Sequence, residues 1–99
     1  MRLDPNTCAI IREEVTRHFG PDSEVRLFGS RVHDEQRGGD IDLFIEAVGD
    51  HATLLRQELA LFAALQMRLG EQRIDIVVHP KGAPLRPIDE VAKREGITL

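Results

Sequence analysis

Apolar residues recur at helical spacing in three segments of the chain. The first segment begins at Asp4, a capping carboxylate followed by a proline, and it ends before Gly20. The longest covers about residues 51–69, and the last begins near Pro87 and ends at Gly96. We therefore predict three helices, of which the second is the longest.

The same spacing predicts which side of each helix is buried. For the longest helix the predicted core stripe is Leu55, Leu59, Phe62, Leu65 and Leu69. Leu54 and Leu61 lie beside that stripe, and we expect them either to complete the core or to contact a partner protein. For the last helix we predict that Ile88, Val91 and Ala92 point inward.

Three short segments show apolar residues at alternate positions, which is typical of strands with one buried face. They cover residues 24–28, 40–46 and 73–78, and a short helix is predicted for residues 30–36. The order of elements predicts an α/β (α+β) fold with a small sheet of three strands or slightly more. We expect the helices to pack mainly on one face and leave the other face open.

Length and composition indicate one domain, residues 1–99, in the cytoplasm. The 13 basic and 17 acidic residues give a net charge of −4, which argues against direct nucleic-acid binding. The single cysteine, Cys8, cannot form an internal disulfide, and a reducing compartment suits it. We find no signal-peptide pattern and no apolar run near the roughly 20 residues that span a bilayer, so we expect no membrane association.

Two carboxylates open the second predicted strand. Asp40 and Asp42 alternate with apolar residues and therefore project to the same side, where their oxygens suit a hard divalent cation. Asp75 likewise alternates with apolar residues on the third predicted strand. Taken alone, an Asp-x-Asp pair also fits solvated surface charges, and Asp75 also fits an edge-strand charge facing water.

A glycine and a serine follow the first strand. Gly29 allows a ligand to approach the backbone closely, and free N–H groups beside Ser30 attract phosphate. Ser30 also fits a plain helix cap, and Arg31 fits either a phosphate contact or a solvated arginine. A phosphate site beside a metal site predicts chemistry on a nucleoside triphosphate.

These motifs resemble a known signature. Gly29-Ser30, followed after nine residues by Asp40-Ile41-Asp42, resembles the signature of the polymerase-beta-like nucleotidyltransferase superfamily. The segments 73–78 and 91–97 are similar to that superfamily's later carboxylate strand and last helix. Because the chain has little beyond these parts, it resembles the minimal nucleotidyltransferase (MNT) branch, best known as antitoxins paired with HEPN-domain toxins.

The resemblance implies a mixed sheet and a set of catalytic groups. It implies that Asp40, Asp42 and Asp75 are catalytic and hold two Mg²⁺ ions. It also implies that Asp75 activates the acceptor hydroxyl. The nucleotide, ATP by resemblance, is expected at Gly29, Ser30 and Arg31, and Arg37 and Arg73 are further phosphate candidates.

Two functions follow from these expectations. The first is a Mg²⁺-dependent nucleotidyltransferase that moves AMP from ATP to a tyrosine of a HEPN-domain toxin and so acts as its antitoxin. The second is a weakly active or inactive binding module that neutralises its partner by complex formation. The chain is too short to hold an acceptor-binding domain, so we expect a homo- or hetero-oligomer to present the acceptor.

Overall fold

The computed structural model describes residues 3–29 and 40–99. In those ranges the chain forms three helices and four strands. In order they are α1 (Pro5–Phe19), β1 (Glu24–Phe28), β2 (Ile41–Ala47), α2 (His51–Leu69), β3 (Ile74–Pro80), α3 (Pro87–Glu95) and β4 (Ile97–Thr98). The three main helices and three strands predicted from the sequence are confirmed, whereas the short helix predicted for residues 30–36 lies outside the described residues. None of the helices in these ranges is long and apolar enough to cross a membrane.

The four described strands form one mixed sheet in the order β3-β2-β1-β4. β1 is antiparallel to both β2 and β4, whereas β2 and β3 are parallel. A parallel pair needs a long crossover connection, and α2 provides it. The sheet confirms the predicted mixed α/β fold, and β4 is the additional strand.

α1 and α2 cover one face of the sheet. Ile11 and Val15 of α1 and Leu61 of α2 pack with Leu27 and Leu43 from the strands in one core cluster. The N-terminus of α1 is capped as predicted, because the Asp4 carboxylate accepts a hydrogen bond of 2.8 Å from the Thr7 backbone N–H. This packing fixes which strand residues face away from the core.

α3 lies on the opposite face of the sheet. The Lys93 Nζ atom of α3 is 3.5 Å from the Glu46 carboxylate on β2, and Gly96 packs against Arg26 of β1. α3 therefore covers the end of that face where Glu46 lies. The other end, with Asp42 and Asp75, remains accessible to solvent.

The predicted core stripe of α2 is wrong for three of its five members. Leu55, Leu59 and Phe62 are 47%, 62% and 42% exposed. Leu54 and Leu61 are buried instead, together with Leu65. Two leucine stripes run along this helix at similar spacing, and periodicity alone does not decide which one meets the sheet. The expectation that Leu54 and Leu61 contact a partner is also wrong, because they complete the core.

The inward side of α3 also differs from the prediction. Ile88 and Val91 are partly exposed, whereas Asp89 and Ala92 are fully buried. The Asp89 carboxylate accepts hydrogen bonds of 2.8 Å from the Arg86 backbone N–H and 2.9 Å from its guanidinium. Because these contacts satisfy the buried carboxylate, an acidic residue lies inward where the sequence favoured isoleucine and valine.

Candidate functional site

The register of β2 and β3 places two of the predicted carboxylates side by side. Asp42 pairs with Asp75 across the parallel strands, and Phe28 of β1 pairs with Asp42 on its other side. Asp42 is half-buried, Asp75 is exposed, and their carboxyl groups lie within hydrogen-bonding reach. Two neighbouring strands therefore bring together residues that are 33 positions apart in the sequence.

Asp40 lies at the edge of this pair, one residue before β2 begins. Its Oδ1 atom is 3.4 Å from the Nε atom of the exposed Arg73 side chain. The backbone N–H of Ile41 donates a hydrogen bond of 2.9 Å to the Arg73 carbonyl, which holds these two segments next to each other. Arg73 thus contacts the Asp40 carboxylate, and the Arg73 side chain itself is exposed to solvent.

The surroundings of Asp42 disfavour its charged form. Burial raises its pKa above the usual value, and the negative charge and hydrogen bond of Asp75 and the charge of Asp40 act in the same direction. Removing water from a carboxylate and surrounding it with like charge disfavours ionisation. A bound cation relieves both effects, so the electrostatics of the site favour cation binding.

This shift predicts an acid-sensitive metal site. Protonation of Asp42 competes with a divalent cation, and its raised pKa moves that competition to higher pH than for an ordinary aspartate. We expect the affinity for Mn²⁺, a spectroscopic substitute for Mg²⁺, to fall as the pH is lowered, starting at a higher pH than for a site with an ordinary aspartate. Electron paramagnetic resonance of free Mn²⁺ measures this. An affinity that stays constant until the pH reaches the ordinary range of an aspartate would contradict the raised pKa.

Gly29 directly follows β1 and lies against the Asp42 side chain. Its φ is +78°, a conformation that L-residues with side chains rarely adopt. A Cβ atom at this position would overlap the Oδ2 atom of Asp42 and lie 3.0 Å from its Cγ atom. Glycine is therefore required here for two independent reasons, and both serve the placement of Asp42. The predicted nucleotide contacts Ser30 and Arg31 lie outside the described residues.

The donor set of the site fits a hard divalent cation. Asp42 and Asp75 offer adjacent carboxylate oxygens, Asp40 adds a third group nearby, and their mutual repulsion is what a cation would relieve. Within residues 3–29 and 40–99, no three acidic, histidine or cysteine side chains already stand in a complete ligand arrangement. Asp40 contacts Arg73 in this arrangement.

A second polar pair lies on the same face, and the sequence analysis did not select it. Glu46 and His79 pair across β2 and β3, four residues beyond Asp42 and Asp75. The signal was present, because the alternation that places Asp42 and Asp75 on one face continues to these two residues. The strand predicted for residues 73–78 stops one residue before His79, whereas β3 continues to Pro80. A groove of about 220 Å³ beside His79 is lined by Leu54, Glu58 and Val78 among others, and not by the three aspartates.

The mixed sheet, the aspartates on adjacent strands and the glycine turn agree with the family that the sequence resembles. The sequence model of the nucleotidyltransferase domain family matches residues 8–96. The chain belongs to this family and is a nucleotidyltransferase. None of the curated proteins matches the chain significantly.

Proposed function

We propose that this chain transfers AMP from ATP to a hydroxyl group of a partner protein, in a Mg²⁺-dependent reaction. The observation that carries the proposal is the pairing of Asp42 with Asp75 in register, against the turn at Gly29. A half-buried and an exposed carboxylate on adjacent strands give one group suited to holding a cation and one that an incoming substrate reaches. Family membership supports nucleotide transfer as the reaction.

In this proposal Asp40, Asp42 and Asp75 hold two Mg²⁺ ions, and Ser30 and Arg31 contact the triphosphate. When bound, Mg²⁺ neutralises the charge of the phosphates during displacement. Asp75 takes the proton of the acceptor hydroxyl, whose oxygen forms a bond to the α-phosphorus. The bond from that phosphorus to the bridging oxygen breaks, and pyrophosphate leaves.

The acceptor in this proposal is a tyrosine of a HEPN-domain toxin, which the modification silences in the cytoplasm. The 99 residues contain no tyrosine, so a tyrosine acceptor lies outside them. The exposure of Asp75 leaves room for such a residue to approach from outside. The chain then acts as the antitoxin of the pair.

Label transfer tests the proposal. The purified chain is mixed with Mg²⁺ and a lysate of its source organism, or with a candidate HEPN partner. ATP carries the label on the α-phosphate in one sample and on the γ-phosphate in the other. A protein band labelled only from the α-position is expected, and it identifies the acceptor by size. A band labelled from the γ-position would indicate phosphate transfer and overturn the proposal.

The second candidate function is a binding module, and the exposed side of α2 favours it. Leu55, Leu59 and Phe62 recur at helical spacing and are all more than one-third exposed; we call them the α2 stripe. Apolar side chains in a row on a surface helix suit contact with another protein. The α2 stripe also serves the first candidate, because an enzyme that modifies a partner protein must dock it.

We expect the Leu59→Glu variant to weaken binding to the HEPN partner by at least about tenfold, because it places a charge in the middle of the α2 stripe. Met67→Glu is the matched control, since Met67 is 87% exposed on the same helix but outside the stripe. Isothermal titration calorimetry with the partner measures both variants. Equal affinities for the two variants would show that the α2 stripe is not the docking surface.

A further inference from the structure

The pair formed by Glu46 and His79 is a buried contact with no part in the reaction just described. The Glu46 Oε2 atom lies 3.0 Å from the His79 Nδ1 atom, and both side chains are buried. The β2–β3 register pairs these two residues just as it pairs Asp42 with Asp75. Because positions four apart in a strand share a face, the two pairs lie on the same side of the same two strands.

Both ring nitrogens of His79 have polar partners. Nδ1 faces the Glu46 carboxylate, and Nε2 is 2.9 Å from the Ala83 carbonyl oxygen and 3.3 Å from the Pro84 carbonyl oxygen. The ring is therefore held by β2 on one side and by the turn that follows β3 on the other.

Glu46 is held from two further elements. Arg26 of β1 places its Nη1 atom 3.1 Å from Oε1, and Lys93 of α3 places its Nζ atom 3.5 Å from Oε2. Burial acts to raise the pKa of Glu46, but the contacts with His79, Lys93 and Arg26 outweigh burial and lower it. Glu46 is thus held by Arg26, His79 and Lys93, which lie on three different elements.

Phe44 links this pair to the aspartates. It lies between Asp42 and Glu46 on the same face of β2, and it is fully buried. Its ring stacks on that of His79, with 6.3 Å between the centroids and 19° between the planes. A shift of β3 along β2 would separate His79 from both Glu46 and Phe44, and it would move Asp75 relative to Asp42 by the same distance.

We propose that Glu46 and His79 are a positioning pair, which sets the affinity of the site for divalent cations by fixing Asp75 in register with Asp42. The proposal rests on the proposed function, in which Asp42 and Asp75 hold the metal. It assigns a role to two residues that touch neither metal nor nucleotide. Groups that hydrogen-bond a metal ligand directly are worth about 10- to 100-fold in metal affinity. Glu46 and His79 act on the ligands through the strand register, so we expect an effect at the lower end of that range.

The test is the affinity of the His79→Gln variant for Mn²⁺, measured by electron paramagnetic resonance without nucleotide. Glutamine retains hydrogen-bonding groups but lacks the ring that contacts Glu46, the Ala83 carbonyl and Phe44 together. We expect Mn²⁺ binding about tenfold weaker than in the wild type. Glu46→Asp is the second variant; it keeps the charge but shortens the reach to His79, and we expect a weakening in the same direction.

Two controls separate positioning from general loss of stability. Ile11→Val removes a methyl group from a fully buried site on α1, on the face of the sheet opposite to Glu46 and His79, and His51→Gln removes an exposed histidine. Both are expected to bind Mn²⁺ as the wild type does, although thermal unfolding should show that Ile11→Val is less stable.

The outcomes distinguish this inference from the proposed function. A His79→Gln variant that is folded and binds Mn²⁺ within about twofold of the wild type would overturn the inference and leave the function standing. So would an equal loss of affinity in Ile11→Val, because stability alone would then explain it. A wild-type chain that binds no Mn²⁺ would overturn the proposed metal site itself, and the inference with it.

Discussion

Replacing Asp42 by asparagine is expected to reduce AMP transfer by about a thousandfold or more, because residues that act as a unit in catalysis lose most of the rate when one is removed. The amide keeps the shape of the side chain but lacks the charge that holds a cation. Asp42 is also the carboxylate in direct contact with both Asp75 and Gly29, so no neighbour replaces it. Label transfer from α-labelled ATP to the acceptor protein measures the loss.

The fold of this variant is expected to remain intact, and its stability gives an independent check. Since the pKa of Asp42 is raised in the native state, its ionisation at neutral pH favours the unfolded chain. This destabilisation is absent at pH values below the pKa of Asp42 in the unfolded chain. It is fully present at pH values above the raised pKa of Asp42 in the native chain. Asparagine removes it, so we expect a melting temperature equal to or above that of the wild type in metal-free buffer.

With added Mg²⁺ we expect the wild type to have a higher melting temperature than Asp42→Asn, because a cation stabilises only the chain that binds it. Asp22→Asn is the matched control: Asp22 is an exposed residue of the turn before β1, and its variant should transfer AMP normally. An Asp42→Asn variant that transfers AMP at the rate of the Asp22→Asn control would show that Asp42 has no role in the reaction.

Sequence patterns anticipated the faces of the strands but not their pairing. Alternation placed Asp42 and Asp75 opposite the apolar residues of their own strands, and the structure agrees. Which residue of β3 lies beside Asp42 depends on the parallel register, and periodicity within one strand contains no information about it. The family resemblance supplied the association of Asp75 with Asp42, and the register confirms that they lie side by side.

The errors on the helices have the same origin. α2 has two apolar sides, one with Leu54 and Leu61 and one with Leu55, Leu59 and Phe62. Which side packs on the sheet depends on the angle at which α2 crosses it. Asp89 is buried because Arg86 satisfies it, a compensation that depends on the turn before α3. β4 pairs only two residues with β1, too few to produce a pattern. In each case the missing information lies in contacts between elements.

Replacing Gly29 by alanine is expected to lower AMP transfer by about a hundredfold, the effect of misplacing a reacting group by about 1 Å. The added Cβ atom would overlap the Oδ2 atom of Asp42, so the carboxylate must move away from its position beside Asp75. The positive φ of +78° adds backbone strain of about 1 kcal/mol. We therefore expect a loss of both activity and stability, measured by label transfer and by urea unfolding.

Gly70→Ala separates the two effects. Gly70 follows α2 with a φ of +83°, close to that of Gly29, but an added Cβ atom there meets nothing within 4 Å. This control should lose a similar amount of stability and keep its full rate of transfer. If Gly29→Ala also kept the full rate, contact between Gly29 and Asp42 would be irrelevant to the reaction. If both variants lost activity equally, the loss would come from backbone strain and not from displacement of the Asp42 carboxylate. The expected difference between them isolates the placement of one carboxylate, which is the quantity on which the proposed chemistry depends.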